Sequence, residues 1–238
     1  MDFIYMIIIA SLVVFSAFLI RSMVGFANSL IIVPVLSLFL NINLVIGIAG
    51  LFSLIGGGIL YYKTKKQIKK EFIPILIFVL IGTFIGTHFL VSYSTELLES
   101  VMGGVIILFS IPIMLNKTFH RAKNKFYGCV AGFFSGIFGG MFTTDGPPLA
   151  IYFGNKLNKG AFRATINIIF VINAIWINIL YFLRGITTIE TAKYALFLLP
   201  ALILGVYIGS KLHFKINEIF FKRILAGILF LVGLSFIV

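Results

Sequence analysis

The chain has 238 residues, of which 61% are hydrophobic and 11% charged, with a formal net charge of +12 and a mean hydropathy of +1.15. That composition lies outside the range of soluble domains and predicts an integral membrane protein. The Lys and Arg residues sit between apolar runs, as the positive-inside bias places them, so the basic balance does not mark a nucleic-acid surface. The single cysteine, Cys129, excludes an intrachain disulfide and a cysteine metal cluster.

In chain order, the first half reads as five apolar pieces: Phe3–Ile20, Leu30–Leu40, Leu44–Tyr62, Phe72–Val91 and Leu97–Leu115. The first of these lacks a positive leading region and a small-residue cleavage site, and is read as a retained helix. The second half repeats the order with Phe126–Phe142, Pro147–Phe153, Ala164–Leu183, Tyr194–Leu212 and Ile224–Val238. The longer runs are roughly 17–21 residues, suited to a hydrocarbon core of about 30 Å. A glycine pair falls in register in the two halves, Gly82/Gly86 and Gly205/Gly209, and reads as close helix packing.

Charge sets the expected topology. Lys63, Lys65, Lys66, Lys69 and Lys70 follow the third piece, and Lys117, Arg121, Lys123 and Lys125 follow the fifth. These stretches are expected on the cytoplasmic side, while the turns at 41–43 and 92–95 carry no Lys or Arg and are expected outside. In the second half the basic residues shift to the other connections: Lys156, Lys159 and Arg163 in one, and Lys211, Lys215, Lys222 and Arg223 in the other, with only Arg184 and Lys193 in the connection between them. Each half therefore reads as the other turned upside down, an inverted-topology repeat with boundaries at 1–118 and 119–238 and both termini outside. The expected fold is an all-α polytopic membrane protein. Each repeat has a broken, re-entrant helical hairpin plus three spanning helices.

The breaks are Gly25-Phe26-Ala27-Asn28-Ser29 and Thr143-Thr144-Asp145-Gly146-Pro147-Pro148. The piece after the second break has about seven apolar residues, roughly 10 Å of helix, too short to cross. Interrupted segments at corresponding places in two halves point to a transporter's binding site. Non-helical backbone at membrane depth belongs inside protein or beside a wet cavity, so the two breaks are expected to meet between the halves.

Asp145 is the acidic residue in a break between apolar pieces, while Glu99 lies near the start of Leu97–Leu115. It is either a proton- or cation-coupling carboxylate or substrate contact, or the N-cap of the helix that Pro147 begins. Gly146 and Pro147 expose backbone dipoles at a half-helix N-terminus, a ready anion site. Asn28 and Ser29 offer the matching cap in the first half, and Thr143 and Thr144 add hydroxyls. Arg163 and Thr165 are expected to open the next helix, where Arg suits bidentate recognition of an oxyanion or anchors at the headgroups. Asn167, Asn173 and Asn178 fall on one helical face, for interhelical bonding or for a cavity. Arg21 precedes the first break, as a cavity residue or an ordinary end charge. No metal-binding spacing, P-loop or dinucleotide loop appears, and no cofactor is expected.

Residues Ser135-Gly136-Ile137-Phe138-Gly139-Gly140-Met141-Phe142-Thr143-Thr144-Asp145-Gly146-Pro147-Pro148-Leu149-Ala150-Ile151-Tyr152 resemble the pattern S-G-L-x-G-G-x-F-G-T-G-G-P-P-L-x-x-Y of the sulfite exporter TauE/SafE family. Phe162-Arg163-Ala164-Thr165 and Val33-Pro34 are also similar to that family, and Gly25-Phe26-Ala27-Asn28-Ser29 stands where it usually has G-F-G-G-G. The resemblance covers essentially the whole chain. It implies a plasma-membrane transporter of small anions such as sulfite or organosulfonates. Thr143, Asp145, Ala27, Asn28 and Ser29 replace glycines of the pattern, and a carboxylate beside an anion site implies that it is protonated, that it couples protons, or that this member moves another substrate.

The reading is a multi-pass secondary transporter, not an enzyme, whose partners are a small anionic substrate and the lipid bilayer. Its substrate residues are Asn28, Ser29, Thr143, Thr144, Asp145, Gly146, Pro147, Arg163, Thr165 and Asn167, with Asp145 as the coupling group. The alternatives are an ion channel and a carrier of a non-sulfur carboxylate or metabolite. An intramembrane protease finds little support. Gly132-Phe133-Phe134-Ser135-Gly136 has the wrong spacing and no histidine opposite, and Asp145 lacks a second acid.

Overall fold

The computed structural model describes residues 3–64, 68, 72–114, 124–154, 156–212, 227, 230 and 234. The described residues form nine helices and no strand. They are α1 (Phe3–Val24), α2 (Asn28–Ser37), α3 (Ile42–Thr64), α4 (Phe72–Ser92), α5 (Thr95–Met114), α6 (Lys125–Phe142), α7 (Gly146–Gly154), α8 (Lys159–Leu183) and α9 (Ile189–Leu212). Most of the last apolar piece, Ile224–Val238, and most of the basic stretches at 65–71 and 115–123 lie outside the described residues.

Helix boundaries follow local chemistry. Asn124 caps α6 by accepting from the Phe126 N–H at 3.2 Å, and Asn158 caps α8 by accepting from the Ala161 N–H at 2.9 Å. The Asn158 cap places the start of α8 at Lys159, so Arg163 and Thr165 lie in its second turn instead of opening it. The polar run from Gly154 is accordingly a short connection. In the first half the N-cap of α2 is Ala27, which makes no side-chain cap bond. The expected capping by Asn28 and Ser29 is therefore corrected: both are the first residues of the helix itself.

Among the described residues, five helices are long and apolar enough to cross a membrane: Ile4–Met23, Ile42–Tyr62, Phe72–Ser92, Gly160–Leu183 and Ile189–Leu212. The helices α2 and α7, of 10 and 9 residues, extend only about 15 and 14 Å at 1.5 Å per residue, half of what a crossing needs.

Packing relates the two halves. The fourth helix of each packs on the first helix of the other: α4 lies on α6, and α9 on α1. The third helices, α3 and α8, pack on each other; α3 also meets α9, as α8 meets α4. Within the halves, α2 packs on α1 and α3, and α7 on α6 and α8. Exchanging α1–α4 for α6–α9 leaves this list of neighbours unchanged.

Glycines make the crossings close. A methyl at Gly82 or Gly86 would run into the carbonyls of Phe133 and Ile137 on α6. One at Gly205 or Gly209 would run into the carbonyls of Phe15 and Leu19 on α1. The glycine pairs are thus the close-approach points of the two exchanged contacts, as small residues allow in membranes. The larger core joins Val14 and Phe18 of α1, Ile32 and Leu36 of α2, Ile46, Ala49 and Phe52 of α3, and Tyr181 of α8. A smaller one joins Ile75 and Val79 of α4 to Leu149 and Phe153 of α7 and Ile169 of α8.

Candidate functional site

Each short helix begins after a left-handed residue. Ala27, before α2, has φ 90° and ψ 1°; Thr143, after α6, has φ 54° and ψ 22°. Among the described residues these are the two non-glycine residues with positive φ. Such a conformation costs an L-residue about 1–2 kcal/mol, and strain of that kind concentrates at binding and switch sites. Both positions are glycine in the family pattern that the sequence resembles, and the backbone supplies the reason.

The two breaks touch. A methyl on Gly146 would strike the Phe26 ring, at 2.8 Å from its Cδ2, so Phe26 of the first break packs directly on the start of α7. Between the breaks lies a cleft lined by Phe26, Ala27, Asn28, Ser29, Leu30, Thr143, Thr144, Asp145, Gly146 and Phe170. It encloses about 190 Å³, counting its open mouth; the shut part holds roughly one water. Two helix N-termini border this space, so the positive ends of two dipoles face it, although Pro147 and Pro148 leave the first turn of α7 only the Gly146 and Leu149 N–H groups.

Side chains from the third helix of each half hold the breaks. Asn28 donates from Nδ2 to Ser53 Oγ on α3 and to Ser29 Oγ, both at 3.1 Å. Asn173 on α8 donates from Nδ2 to the Asp145 carboxylate at 3.0 Å, and its own Oδ1 accepts from Thr83 Oγ1 on α4 at 2.7 Å. Ser135 Oγ on α6 donates to the Asp145 carbonyl. Gly139 leaves room for this arrangement, since a methyl there would meet Asp145 Cβ at 3.0 Å and Asn173 Nδ2 at 3.1 Å. About two turns beyond Asn173 on α8, Tyr181 donates its hydroxyl to the Gly140 carbonyl at 3.0 Å.

Of the residues predicted from sequence, Asn28, Ser29, Thr143, Thr144, Asp145 and Gly146 line the cleft. Pro147, Arg163, Thr165 and Asn167 are not in its lining. Pro147 is buried one residue into α7. Arg163 donates from Nη2 to the Ser22 carbonyl at 2.6 Å, tying α8 to the end of α1. Thr165 and Asn167 are fully buried on α8. The hydroxyls of Thr143 and Thr144 both donate to the Phe142 carbonyl, at 2.6 and 3.1 Å.

Sequence reasoning left Ser53, Thr83, Ser135 and Phe170 out, and placed Asn173 only on a polar stripe. Their signal was weak: single small polar or aromatic residues in apolar helices. The stripe itself turns inward, with Asn178 donating from Nδ2 to the Gly50 carbonyl at 2.9 Å.

Residues 10–236 match the family model described as Sulfite exporter TauE/SafE. No match was found among curated proteins or among solved structures.

Proposed function

The chain belongs to the sulfite exporter TauE/SafE family of membrane transporters, and on that premise we propose that it is a secondary transporter of small oxyanions, sulfite or an organosulfonate, across the plasma membrane. The observation that carries the reading is the meeting of the two broken turns. Two short helices start at one cleft, in contact through Phe26 and Gly146, and half-helix N-termini facing each other are a way to hold an anion without a full countercharge. In this reading the substrate contacts Asn28, Ser29, Thr143, Thr144 and Gly146. Pro147, Arg163, Thr165 and Asn167 support the site from behind, and Asp145 couples transport to protons.

We further propose that residues 1–118 and 119–238 form two repeats of inverted topology. The exchanged packing of α4 on α6 and of α9 on α1 supports this, together with the reversal of Lys and Arg between the halves. A two-fold arrangement of this kind supports alternating access, in which the halves rock around a fixed site. The narrow cleft fits a shut state: a substrate larger than water needs the breaks to part.

Purified protein in liposomes tests the function. Saturable counterflow of sulfite or 2-sulfoacetate is expected. Unitary currents would make the protein a channel, and counterflow of carboxylates alone would move it to a different substrate class.

A further inference from the structure

Arg21 stands one turn before the first break, near the end of a span, where an arginine ordinarily reaches out to headgroups. It does not do so here. The side chain is 1% exposed, and its Nε and Nη1 are buried with no hydrogen-bond acceptor. Two other basic side chains are engaged: Arg163 with the Ser22 carbonyl, and Lys156, elsewhere in the fold, with the Tyr152 hydroxyl at 2.8 Å. A buried cation without acceptors is expensive, and within a membrane span it marks a site until shown otherwise.

The surroundings set it against the lining of the cleft, of which it is not itself part. The guanidinium rests 5.8 Å from the centre of the Phe18 ring and 6.0 Å from that of Phe170, and Phe170 lines the cleft. Aromatic faces of this kind stabilise a desolvated cation in part. Its charge also attracts that of Asp145, another lining residue, without an ion pair closing between them. Opposite, on α3, Gly57 leaves the space the guanidinium uses: a methyl there would come within 3.0 Å of Nη2 and 3.3 Å of Val171 Cγ2.

We propose that Arg21 is the anion-binding cation of the cleft. In the empty carrier Asp145 is its counter-charge; in the loaded carrier an oxyanion takes the open Nε–H and Nη1–H donors, adding a charged, planar fork to the N–H groups of α2 and α7. Arg163, whose Nη2 is committed to the Ser22 carbonyl, then holds α8 against α1. The inference rests on the transporter reading above and names the residue that recognises its substrate class.

The test uses the full-length protein with sulfite and 2-sulfoacetate as probes. Flux in liposomes is measured alongside the thermal shift each anion gives in detergent. Wild-type protein is expected to show saturable flux and a shift. Arg21→Met should remain monodisperse, lose the shift, and raise KM at least tenfold with a smaller change in kcat. Arg21→Lys should fall between the two. Gly57→Ala, which crowds the guanidinium and leaves every charge in place, should also raise KM. If Arg21→Met alone aggregates, the double variant Arg21→Met/Asp145→Asn removes both charges and is expected to fold without an anion-dependent shift. Folded Arg21 variants with wild-type KM and wild-type shift overturn the assignment of Arg21 alone. A wild-type protein inert to both anions overturns the anion-transport reading, and the assignment with it.

Discussion

Asn173 on α8 holds the carboxylate of Asp145 in the second break, donating at 3.0 Å, and takes the Thr83 hydroxyl of α4 at 2.7 Å on its other side. One amide thus joins a spanning helix of each half to the break. Asn173→Ala removes both bonds and leaves a part-buried carboxylate and a buried hydroxyl without these partners. We predict a loss of about 1–3 kcal/mol, the usual cost of orphaned buried groups. Thr83→Val removes one donor only, and should cost less, about 0.5–1.5 kcal/mol. Thermal melts in detergent check the order; equal effects would mean that the network does not pass through Asn173.

The breaks themselves were legible, because Gly25 and the Gly146-Pro147-Pro148 run punctuate apolar stretches that otherwise read as continuous helix. Which helices hold them was not. The pattern along one helix says that Asn173 sits on a polar stripe, but its partners are 28 residues away at Asp145 and 90 away at Thr83. The two arginines show the same limit. Arg163 lies in a family-like motif and Arg21 in none, yet burial leaves Nε and Nη1 of Arg21 without acceptors, while Nη2 of Arg163 is bonded to the Ser22 carbonyl. A helical wheel assigns faces but not the neighbour each face meets.

The glycine pairs make a sharper prediction. Gly82→Ala and Gly209→Ala each push a methyl into a backbone carbonyl of the facing helix, which cannot yield as a side chain tip can. Overpacking of this kind costs typically about 1–3 kcal/mol. Gly58→Ala and Gly104→Ala meet nothing within 4 Å, and should be neutral or stabilising by about 0.5–1 kcal/mol through helix propensity. Melting temperatures of the four variants decide it. A destabilised Gly104→Ala beside an unaffected Gly82→Ala would contradict the packing described.

Backbone strain at the breaks is open to a direct test. Ala27, at φ 90°, should tolerate Ala27→Gly with no loss of stability, because relief of about 1–2 kcal/mol of left-handed strain outweighs the smaller entropic cost of glycine, about 0.4–1 kcal/mol. Ala27→Val, with a β-branched side chain at positive φ, should be strongly destabilised. The comparison of the two melts isolates conformation from packing. A Val variant as stable as the Gly variant would remove strain from the account of this turn.

Topology carries its own prediction. A cysteine at Lys66, in a Cys129→Ser background, should stay unlabelled by an impermeant maleimide added to intact cells, and should label after permeabilisation. Lysines between spans mark the cytoplasmic side. Labelling from outside would overturn the orientation assigned to the chain, with the loop after α3 cytoplasmic and both termini outside.

Asp145 decides between coupling and architecture. Asp145→Asn keeps the shape of the side chain and an oxygen that can accept from Asn173, so the fold should survive. The groups whose charge or titration bears on it are Arg21 and Tyr181, and neither replaces a carboxylate as a proton carrier. If Asp145 couples protons to the anion, the variant should exchange substrate at a rate within a few-fold of wild type, yet fail to accumulate it when a pH gradient is imposed. Exchange needs binding and alternating access and no net proton movement; accumulation needs the proton. Paired assays on one liposome preparation separate the two. An Asp145→Asn protein that accumulates as wild type does would leave Asp145 as the N-terminal anchor of α7, held by Asn173 and Ser135, and would place the coupling ion elsewhere.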